Sequence, residues 1–357
     1  MSVTGTIELA TRGSDLALRQ AAQVQSRLAD HRIDAELREV ETQGDRIEDA
    51  LIQDLGKTGA FVRELDRLVM DETVDGAVHS MKDIPTEEPE EIVIAAVPSR
   101  GPVGDVLVSP EGDALAELPE GAVVGTSSLR RGAQVQARRP DLEIEPLRGN
   151  VDTRVEKVLA PPLQAEHETR LEAAKSDSDV EAPDDRSPEE WFDSLSEIER
   201  SALGREVETE YDAIVLAKAG LARSGLLDRV PTVDLPVETH VPAAGQGALA
   251  VAAHEGTDVA KAIHAALDHA PTRVATTVER VVLAELGAGC VAPLGIHATV
   301  QGDVVRTTVQ VLSQDGSEEL RETRALDVEE YAVEAREFAA DLADRGAAEL
   351  IAEAKRE

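Results

Sequence analysis

The 357-residue chain contains a single cysteine, Cys290, and aromatic residues make up only 2% of it. One thiol excludes an internal disulfide and any zinc or iron–sulfur site built from several thiolates. The eight histidines lack the spacing of a metal site, so we expect no metal. No apolar run approaches the roughly 20 residues of a membrane span, and the first residues lack the pattern of a secretory signal. We therefore expect a cytoplasmic protein with no membrane partner.

Positive charge is also scarce, because 36 Lys+Arg residues stand against 71 Asp+Glu residues and give a formal net charge of -35. A surface of that charge repels polyanions, so we expect no nucleic-acid partner. Hydrophobic residues still make up 42% of the chain, enough to build cores beneath a charged coat. The composition resembles that of proteins from salt-accumulating halophiles. In molar salt the Debye length is about 3 Å, which screens acidic self-repulsion.

The length of the chain fits two or three compact domains. Strand-like and helix-like periodicities alternate over 1–100 and again over 101–241, which predicts two α/β domains with parallel-rich sheets. The pattern changes in 266–357, where a long helix, three alternating strands and a final amphipathic helix predict a small α+β domain. The fold class predicted from these patterns is therefore α/β with an appended α+β domain.

An acidic segment at 160–210 interrupts the second α/β series. It holds sixteen acidic and five basic residues, and Pro161 and Pro162 mark its start. We expect an acidic surface insertion that is partly disordered. Within it, the sequence from Ser187 to Glu190 is a capping box with proline at the first helical position, and Trp191 begins an apolar face. One short docked helix is predicted there.

Two motifs have the composition of anion-binding loops. GTSSLRR at 125–131 follows a predicted strand and opens a helix, so that backbone amides, hydroxyls and two guanidinium groups can converge on an anion. LRGNVDTR at 147–154 places two further arginines around another helix start. Both motifs predict binding of carboxylate or phosphate groups. A phosphate loop around Lys57 is excluded, because the position that would have to be its first glycine is Leu51.

The sequence HSMKD at 79–83 lies just past a predicted strand, where open α/β sheets place ligand chemistry. Lys82 can serve as a Schiff-base amine and Asp83 as a general acid or base, although such a pair in a loop is more often structural. Two other classes stay open on these residues. One is an anion-binding module of the solute-binding-protein type, and the other is a pyridoxal-phosphate enzyme that uses Lys82.

Seven motifs stand in a fixed order along the chain. They are ATR followed by Ser14 at 10–14, HSMKD at 79–83, GTSSLRR at 125–131, LRGNVDTR at 147–154, YDAIVLAKAGLAR at 211–223, PAAGQGALAV at 242–251 and GAGCVAPLG at 287–295. In this order and spacing they resemble the hydroxymethylbilane synthase family, also called porphobilinogen deaminase. The resemblance covers nearly the whole chain outside 160–210.

The resemblance implies a monomeric transferase of tetrapyrrole biosynthesis. Such an enzyme condenses four porphobilinogen molecules head to tail, releases four ammonia molecules and hydrates the product to the linear hydroxymethylbilane. It implies a dipyrromethane cofactor held by a thioether to Cys290. It also implies two periplasmic-binding-protein-like α/β domains, with 242–265 returning to the first (1–100) and 101–241 forming the second. A C-terminal α+β domain over 266–357 would carry the cysteine loop.

The family match also assigns roles to individual residues. Asp83 would be catalytic and would stabilise positive charge on the pyrrole N–H. The arginines would pair with the acetate and propionate arms of cofactor and substrate, because the guanidinium fork binds carboxylates bidentately. The cofactor residues are Cys290, Lys82, Thr126, Ser127, Ser128, Arg130, Arg131, Arg148 and Gly149, and the substrate residues are Arg12, Ser14, Phe61, Arg154 and Arg223.

Two departures from the family pattern concern loops. The family commonly has a lysine directly before the glycine of its mobile loop, whereas here Thr58 precedes Gly59 and the lysine is Lys57. This leaves the role of that lysine open. The usual Gly-Gly-Cys is replaced by Ala288-Gly289-Cys290, which keeps glycine beside the thiol.

Overall fold

The computed structural model describes residues 5–40, 60–86, 89, 91–175, 179–287 and 292–356, with the backbone alone at 60 and 61. The predictions that concern Lys57, Thr58, the Phe61 side chain and Cys290 therefore lie outside the described residues. No helix in the described ranges is long and apolar enough to cross a membrane.

The elements follow in chain order. The strands are β1 (Ile7–Arg12), β2 (Ala35–Val40), β3 (Gly76–Ser80), β4 (Ile92–Ala96), β5 (Asp105–Val108), β6 (Val123–Gly125), β7 (Glu143–Glu145), β8 (Ala213–Ala217), β9 (Val233–Asp234), β10 (Leu249–His254), β11 (Leu294–Gln301), β12 (Val304–Leu312) and β13 (Glu319–Asp327). The helices are α1 (Asp15–Asp30), α2 (Ala60–Met70), α3 (Leu129–Gln136), α4 (Val151–Ala173), α5 (Pro188–Ser194), α6 (Glu197–Leu203), α7 (Lys218–Ser224), α8 (Asp258–Leu267), α9 (Ala270–Leu286), α10 (Tyr331–Leu342) and α11 (Ala348–Ala354).

Two five-stranded sheets share one plan. The first has the order β2-β1-β3-β10-β4, with β1 parallel to β2 and β3 and with β10 antiparallel to both of its neighbours. The second has the order β7-β6-β8-β5-β9, with β6 parallel to β7 and β8 and with β5 antiparallel to its neighbours. The predicted fold class of two related α/β domains is confirmed. We call the parts built on these sheets the first and second units.

The chain passes between these units twice. It leaves the first sheet after β4 and enters the second at β5, and it returns from β9 to β10. We call residues 97–104 the outward crossing and 235–248 the return crossing. The strand at the end of the return crossing, β10, lies inside the first sheet between β3 and β4.

The sheets form because their strands carry apolar residues that both faces can bury. In β8 the first four residues of AIVLA are buried, which is the pattern of a strand covered by helices on both sides. Helix α1 begins at Ser14, whose hydroxyl accepts from the Ala17 amide at 3.4 Å. It packs on the first sheet through Ala21, Val24 and Leu28, which recur at helical spacing.

The third unit is the small α+β part predicted at the C-terminal end. Strands β11, β12 and β13 form an antiparallel sheet, and α9 and α10 bury Val278, Val282 and Phe338 against it. Helix α9 ends at Gly287, which has a φ of +61° in the left-handed region. Cys290 follows three positions later in the sequence.

The acidic insertion is more helical than predicted. Helix α4 runs through Pro161 and Pro162 without ending, because Val155, Val158 and Leu159 on it are buried in the core of the second unit. The stabilisation from this burial offsets the loss of the two backbone hydrogen bonds that the prolines cannot donate. The predicted helix at Ser187 is present as α5 with its capping box. A second capping box at Ser196 starts α6, which the sequence analysis missed.

Arg170, on α4, holds the later part of the insertion against this helix. Its side chain is buried and donates to Asp184 at 2.9 Å and to Glu166 at 2.7 Å. The guanidinium also lies 5.5 Å from the centre of the Trp191 ring, which stacks on His167. These contacts hold the described residues 179–191 against α4, and the expectation of partial disorder stays a prediction.

Candidate functional site

Two loops of the second unit lie side by side at one edge of its sheet. The loop at 126–128 joins β6 to α3 and the loop at 146–150 joins β7 to α4. Because β6 and β7 are parallel, both loops leave the sheet at the same edge. The Ser127 hydroxyl ties them together, since it donates to the Leu147 carbonyl at 2.7 Å and accepts from the Leu147 amide at 3.0 Å.

Two arginines stand near each other where these loops enter their helices. Arg131 lies in the first turn of α3 and Arg154 in the first turn of α4. Burial and the neighbouring charge of Arg131 lower the pKa of Arg154 to about 10. Its Nε donates to the Gly149 carbonyl at 2.8 Å. Within the described ranges Arg154 has no carboxylate partner, so this pair of like charges favours binding of an anion.

A buried carboxylate orients Arg131. Asp105 is fully buried at the start of β5, and its Oδ1 accepts from Nε and Nη2 of Arg131 at 3.1 and 2.8 Å. Burial alone would raise the pKa of Asp105, but the charges and hydrogen bonds of Arg130 and Arg131 lower it far below its ordinary value. Asp105 therefore stays ionised and holds Arg131 in one orientation. The sequence analysis did not identify Asp105, which reads there as the first residue of an ordinary strand.

Arg130 is occupied by protein groups. Its Nη1 donates to Gln134 Oε1 and to the Val241 carbonyl, both at 2.9 Å, and its Nη2 donates to Asp105 Oδ2 at 2.8 Å and to Gln246 Oε1 at 3.3 Å. Four hydrogen bonds use all the protons on its terminal nitrogens. The sequence analysis expected Arg130 to hold the cofactor. The structure places it where it joins α3 to the return crossing, and its contact with the cofactor stays a prediction.

The remaining loop residues shape the site. Thr126 Oγ1 accepts from the Ser128 amide at 3.2 Å, whereas the Ser128 hydroxyl has no hydrogen-bond partner in the part of the chain described. Gly149 has a φ of +113°, and a Cβ there would lie 2.6 Å from Thr153 Cγ2, so the position requires glycine. Arg148 precedes it on the exposed part of the loop.

The HSMKD motif forms a tight turn in the first unit. Residues Met81–Asp83 make a single 3₁₀ turn after β3, and both Lys82 and Asp83 are exposed on it. The Met81 amide donates to the Ala248 carbonyl at 3.0 Å. Gly245, with a φ of +71°, packs so closely on the turn that a Cβ would lie 2.7 Å from Met81 Cγ. The position of the turn is therefore set by the return crossing.

The same crossing contacts the arginine site. The Gln246 amide group donates to the Gly104 carbonyl at 2.8 Å and to Asp105 Oδ1 at 3.0 Å. The third unit holds it as well, because the Gly245 amide donates to Glu279 Oε2 at 2.7 Å. Residues 245–248 thus connect the turn that carries Asp83 to the carboxylate that orients Arg131. The sequence analysis did not recognise Gln246 or Glu279 as part of this connection.

Three other predicted site residues, Arg12, Ser14 and Arg223, lie outside the loops at 126–128 and 146–150. Arg12 ends β1 and is half-buried, and Ser14 caps α1 two residues later. Arg223 lies near the crossings, where its Nη2 donates to the Gly247 carbonyl at 2.7 Å. Its described contacts are therefore with the crossings and not with the loops that hold Arg131 and Arg154.

Comparison with known proteins agrees with this arrangement. The family model for the porphobilinogen deaminase dipyrromethane cofactor binding domain matches residues 7–166 and 200–262, and the model for the porphobilinogen deaminase C-terminal domain matches 274–345. A probable porphobilinogen deaminase of Halobacterium salinarum is 56% identical, with 98% of each chain covered.

The chain belongs to the porphobilinogen deaminase family. More distant members include a porphobilinogen deaminase of Deinococcus radiodurans, 39% identical with 99% of each chain covered. Another is a probable porphobilinogen deaminase of Methanocella arvoryzae, 36% identical over 98% of this chain and 99% of that one. The cofactor-domain model leaves 167–199 unmatched, which lies within the predicted insertion at 160–210.

The residues present fit the dipyrromethane cofactor of the porphobilinogen deaminase family. That group carries acetate and propionate arms, and carboxylates are suitable partners for arginines that lack an acidic neighbour. Arg154 meets this requirement, and the Ser128 hydroxyl supplies a further donor. Arg131 is paired with Asp105 through Nε and Nη2 and can offer its Nη1 group to a ligand. The attachment residue implied by the family match, Cys290, lies outside the described residues.

Proposed function

We propose that this chain is a hydroxymethylbilane synthase, a transferase that joins four porphobilinogen molecules head to tail, with release of four ammonia molecules and hydration of the product to the linear hydroxymethylbilane. One observation carries the proposal within the porphobilinogen deaminase family. The 245–248 segment packs on the turn that bears Asp83 and also contacts Asp105, which orients Arg131. A reactive carboxylate and an anion site are thereby held relative to each other.

Binding depends on the carboxylate arms of the pyrroles. Arg131 and Arg154 would pair with these arms, Ser128 would donate through its hydroxyl, and Arg148, Lys82 and Arg12 would add positive charge at the edges of the site. Hydrogen bonds to charged groups contribute about 1.5–3 kcal/mol each, so three such pairs contribute about 4.5–9 kcal/mol, which corresponds to affinities from about millimolar to micromolar. Arg130 and Ser127 act differently, because their described hydrogen bonds position Arg131 and the 146–150 loop.

Asp83 would be the catalytic group. In each condensation the aminomethyl C–N bond of one porphobilinogen breaks and ammonia leaves, a C–C bond forms to the free α-carbon of the acceptor pyrrole, and that carbon loses its proton. Positive charge develops on the pyrrole nitrogen during these steps. A carboxylate at hydrogen-bond distance from the N–H stabilises that charge and takes part in the proton transfers. The exposed position of Asp83 on its turn leaves both of its oxygens available.

The dipyrromethane cofactor would be held through Cys290 and, when bound, supplies the acceptor pyrrole for the first condensation. Support for Cys290 comes from the family match and from its being the only thiol in the chain. Gly287, where α9 ends, lies three positions before Cys290 in the sequence. The Gly287 carbonyl accepts from Lys355 Nζ at 2.6 Å.

The proposal also covers the domain division, the oligomeric state and the remaining substrate residues. The domains would be 1–100 with 242–265, then 101–241, then 266–357, and the enzyme would act as a cytoplasmic monomer. Phe61, Ser14 and Arg223 would contribute to substrate binding as the family match implies. The arrangement of the three sheets and the two crossings supports this division.

The proposed function is tested by the stoichiometry of ammonia release. The purified protein, incubated with porphobilinogen in molar potassium chloride, should release one ammonia for each porphobilinogen consumed. Arg154→Gln should retain the fold by circular dichroism and lose most of this activity. Binding of porphobilinogen without ammonia release would instead support an anion-binding module of the solute-binding-protein type.

A further inference from the structure

The end of strand β12 in the third unit is buried on both faces. Val305, Val309 and Val311 face the helices of this unit and belong to its core. The alternate residues face the opposite way, and on that face the strand passes from exposed Val304 to fully buried Gln310. Helix α3 of the second unit and the return crossing cover this end of the strand. A polar residue of the third unit is thereby enclosed by the second unit.

Gln310 has a partner for each of its hydrogen-bonding positions. Its Oε1 accepts from the Val241 amide at 3.3 Å and from Gln134 Nε2 at 2.7 Å. Its Nε2 donates to the Thr239 carbonyl at 3.1 Å and to Glu319 Oε1 at 2.8 Å. A backbone amide only donates and a backbone carbonyl only accepts, so Val241 and Thr239 fix the direction in which the Gln310 amide group points.

This direction determines the orientation of Gln134 on α3. Because Gln310 presents its oxygen, Gln134 presents its Nε2, whose second proton goes to the Val241 carbonyl at 2.8 Å. The Oε1 of Gln134 is then turned toward Arg130 and accepts from its Nη1 at 2.9 Å. With the Gln134 amide group reversed, an NH₂ group would face a guanidinium group, and neither could accept. A side chain of the third unit therefore decides whether Gln134 offers Arg130 an acceptor.

Arg130 in turn shares a carboxylate with Arg131. Arg130 donates to Oδ2 of Asp105, and Arg131 donates through Nε and Nη2 to Oδ1. A displacement of Arg130 would therefore let the carboxylate rotate, and the Arg131 guanidinium group would rotate with it. The contacts that begin at β12 thus end at the anion site formed by Arg131 and Arg154.

The tip of the β12–β13 hairpin makes a second contact with α3. Gly316, at this tip, has a φ of +70°, and a Cβ there would lie 2.5 Å from the Ala133 carbonyl oxygen. The hairpin and the helix therefore lie against each other without space for a side chain. Beside them, Arg138 of the second unit pairs with Glu319 of the third at 3.4 Å. These contacts keep α3 at a fixed distance from Gln310.

We propose that Gln310 is a positioning residue of the anion site, because it orients Gln134 and thereby fixes the Arg131 guanidinium group. The anion site of the second unit is then complete only with a side chain from the third unit. The inference rests on the proposed function for its ligand, porphobilinogen. The orientation of Arg131 can nevertheless be measured without any ligand.

The kinetic test replaces Gln310 by methionine, which has a similar length and lacks the amide group. Gln310→Met should raise the KM for porphobilinogen about fivefold and leave kcat within about twofold, because it disturbs Arg131 and not Asp83. Thr307→Val is the matched control. Thr307 is buried in the same strand, but its hydroxyl donates to the Val305 carbonyl at 3.3 Å and not to α3. An unchanged KM in folded Gln310→Met, or an equal rise in Thr307→Val, would overturn the proposal.

The orientation of Arg131 can be followed by NMR through its Nε–H group, which donates to Asp105. Arg131→Lys assigns the signal. In ligand-free wild-type protein and in Thr307→Val the proton should exchange slowly with water, whereas in Gln310→Met the signal should shift and exchange faster. An unchanged signal in Gln310→Met would overturn the proposal. If the wild-type protein released no ammonia from porphobilinogen, the proposed function would fail, and these spectra would still decide the role of Gln310.

A second route to the same contact leaves Gln310 and Gln134 in place. Gly316→Ala should push the hairpin away from α3 and raise KM about fivefold. Gly302→Ala is its matched control, because Gly302 has a φ of +61° and a Cβ there would meet nothing within 4 Å. The control should show a similar loss of stability from backbone strain and an unchanged KM. Equal KM values for the two alanine variants would contradict the proposal, also in the event that Gln310→Met does not fold.

Discussion

Asp105 receives two hydrogen bonds from Arg131 on one oxygen, from Nε at 3.1 Å and from Nη2 at 2.8 Å. Oδ1 of Asp105 therefore orients the Arg131 guanidinium group, while Oδ2 accepts a hydrogen bond from Arg130. A buried acid that fixes two arginines makes the position of Arg131 independent of solvent and of ligand. The anion site is therefore formed before any substrate arrives.

Replacing Asp105 by asparagine should damage both stability and binding. The change leaves the buried Arg130 and the half-buried Arg131 without their counter-charge, and breaking a buried pair of this kind costs about 3–5 kcal/mol. We expect the Asp105→Asn variant to unfold at lower denaturant concentration and to bind porphobilinogen at least tenfold more weakly. Denaturant titration and KM measurement check the two effects, and an unchanged KM in folded protein would show that Asp105 does not orient a ligand-binding arginine.

Asp105 should also affect how the stability of the folded protein changes at acidic pH. The pKa values of Asp105 and Glu279 are lowered in the folded protein by Arg130 and Arg131 and by Arg100, respectively, against the effect of burial. A lowered pKa contributes stability above the unfolded value of about 4, and this is lost as the pH falls toward the folded value. Burial also lowers the pKa of His240 to about 4, which adds a loss of stability that starts below about pH 6.5.

The acid effect can be measured as the unfolding midpoint between pH 7 and pH 3 at constant salt. The wild-type midpoint should fall throughout this range and most steeply below pH 4. Asp105→Asn should start lower and fall less steeply below pH 4, because it lacks one of the carboxylates. Parallel curves for the two proteins would contradict the account of Asp105.

Removing the charge of Asp83 should abolish catalysis without changing the fold. Asparagine keeps the size of the side chain but neither stabilises developing positive charge nor accepts a proton, and loss of such a group costs about 10²–10⁴-fold in rate. Asp303→Asn, on the exposed β11–β12 hairpin, is the matched control and should keep full activity. Turnover of Asp83→Asn near the wild-type rate would remove Asp83 from the mechanism.

The close packing of the return crossing on the Asp83 turn can be tested with two alanine substitutions. Gly245 and Gly256 have similar φ values of +71° and +75°, but a Cβ at Gly245 would press on Met81 and one at Gly256 would meet nothing within 4 Å. Both changes should cost about 1 kcal/mol of stability, because alanine is strained at positive φ. Only Gly245→Ala should reduce kcat, by about tenfold or more, since it displaces the turn.

Equal kinetic effects of the two alanine variants would contradict this interpretation. That result would mean that backbone strain alone accounts for the loss of kcat. The comparison requires that both variants be folded, which the thermal unfolding profile establishes.

The acidic insertion should be dispensable for catalysis. Trp191 is 2% exposed and packs beside Arg170, whereas its neighbour Phe192 is 40% exposed. Trp191→Ala should make 160–210 more susceptible to limited proteolysis, because the helix loses its anchor, while kcat and KM stay within about twofold of wild type. Phe192→Ala should change neither property. A large loss of activity in Trp191→Ala would show that the insertion supports the site.

Much of the fold follows from the sequence because its signals are local. The strand 213–217 coincides with a continuous run of apolar residues, AIVLA. Serine is a favoured N-cap residue, and Ser14 caps α1. The three alternating strands predicted in 266–357 are present as β11, β12 and β13. The seven motifs also identified the family, since each of them marks a loop or strand end with restricted chemistry.

The missed features depend on contacts between distant parts of the chain. Glu279 looks like a surface residue of an amphipathic helix, yet it is buried against Arg100, 179 residues away. Asp105 and Gln246 are likewise 141 residues apart. Helix α4 continues through two prolines because α6 and the second sheet cover it, and local propensity contains no information about that packing.

The most direct test of the account is the intact mass of the denatured protein beside that of its Cys290→Ser variant. The account predicts that the wild-type protein, alone or after incubation with porphobilinogen, carries the extra mass of two linked pyrrole units, and that the variant lacks it. A wild-type mass equal to that of the bare chain, and unchanged after incubation with porphobilinogen, would contradict the covalent cofactor and with it the proposed reaction.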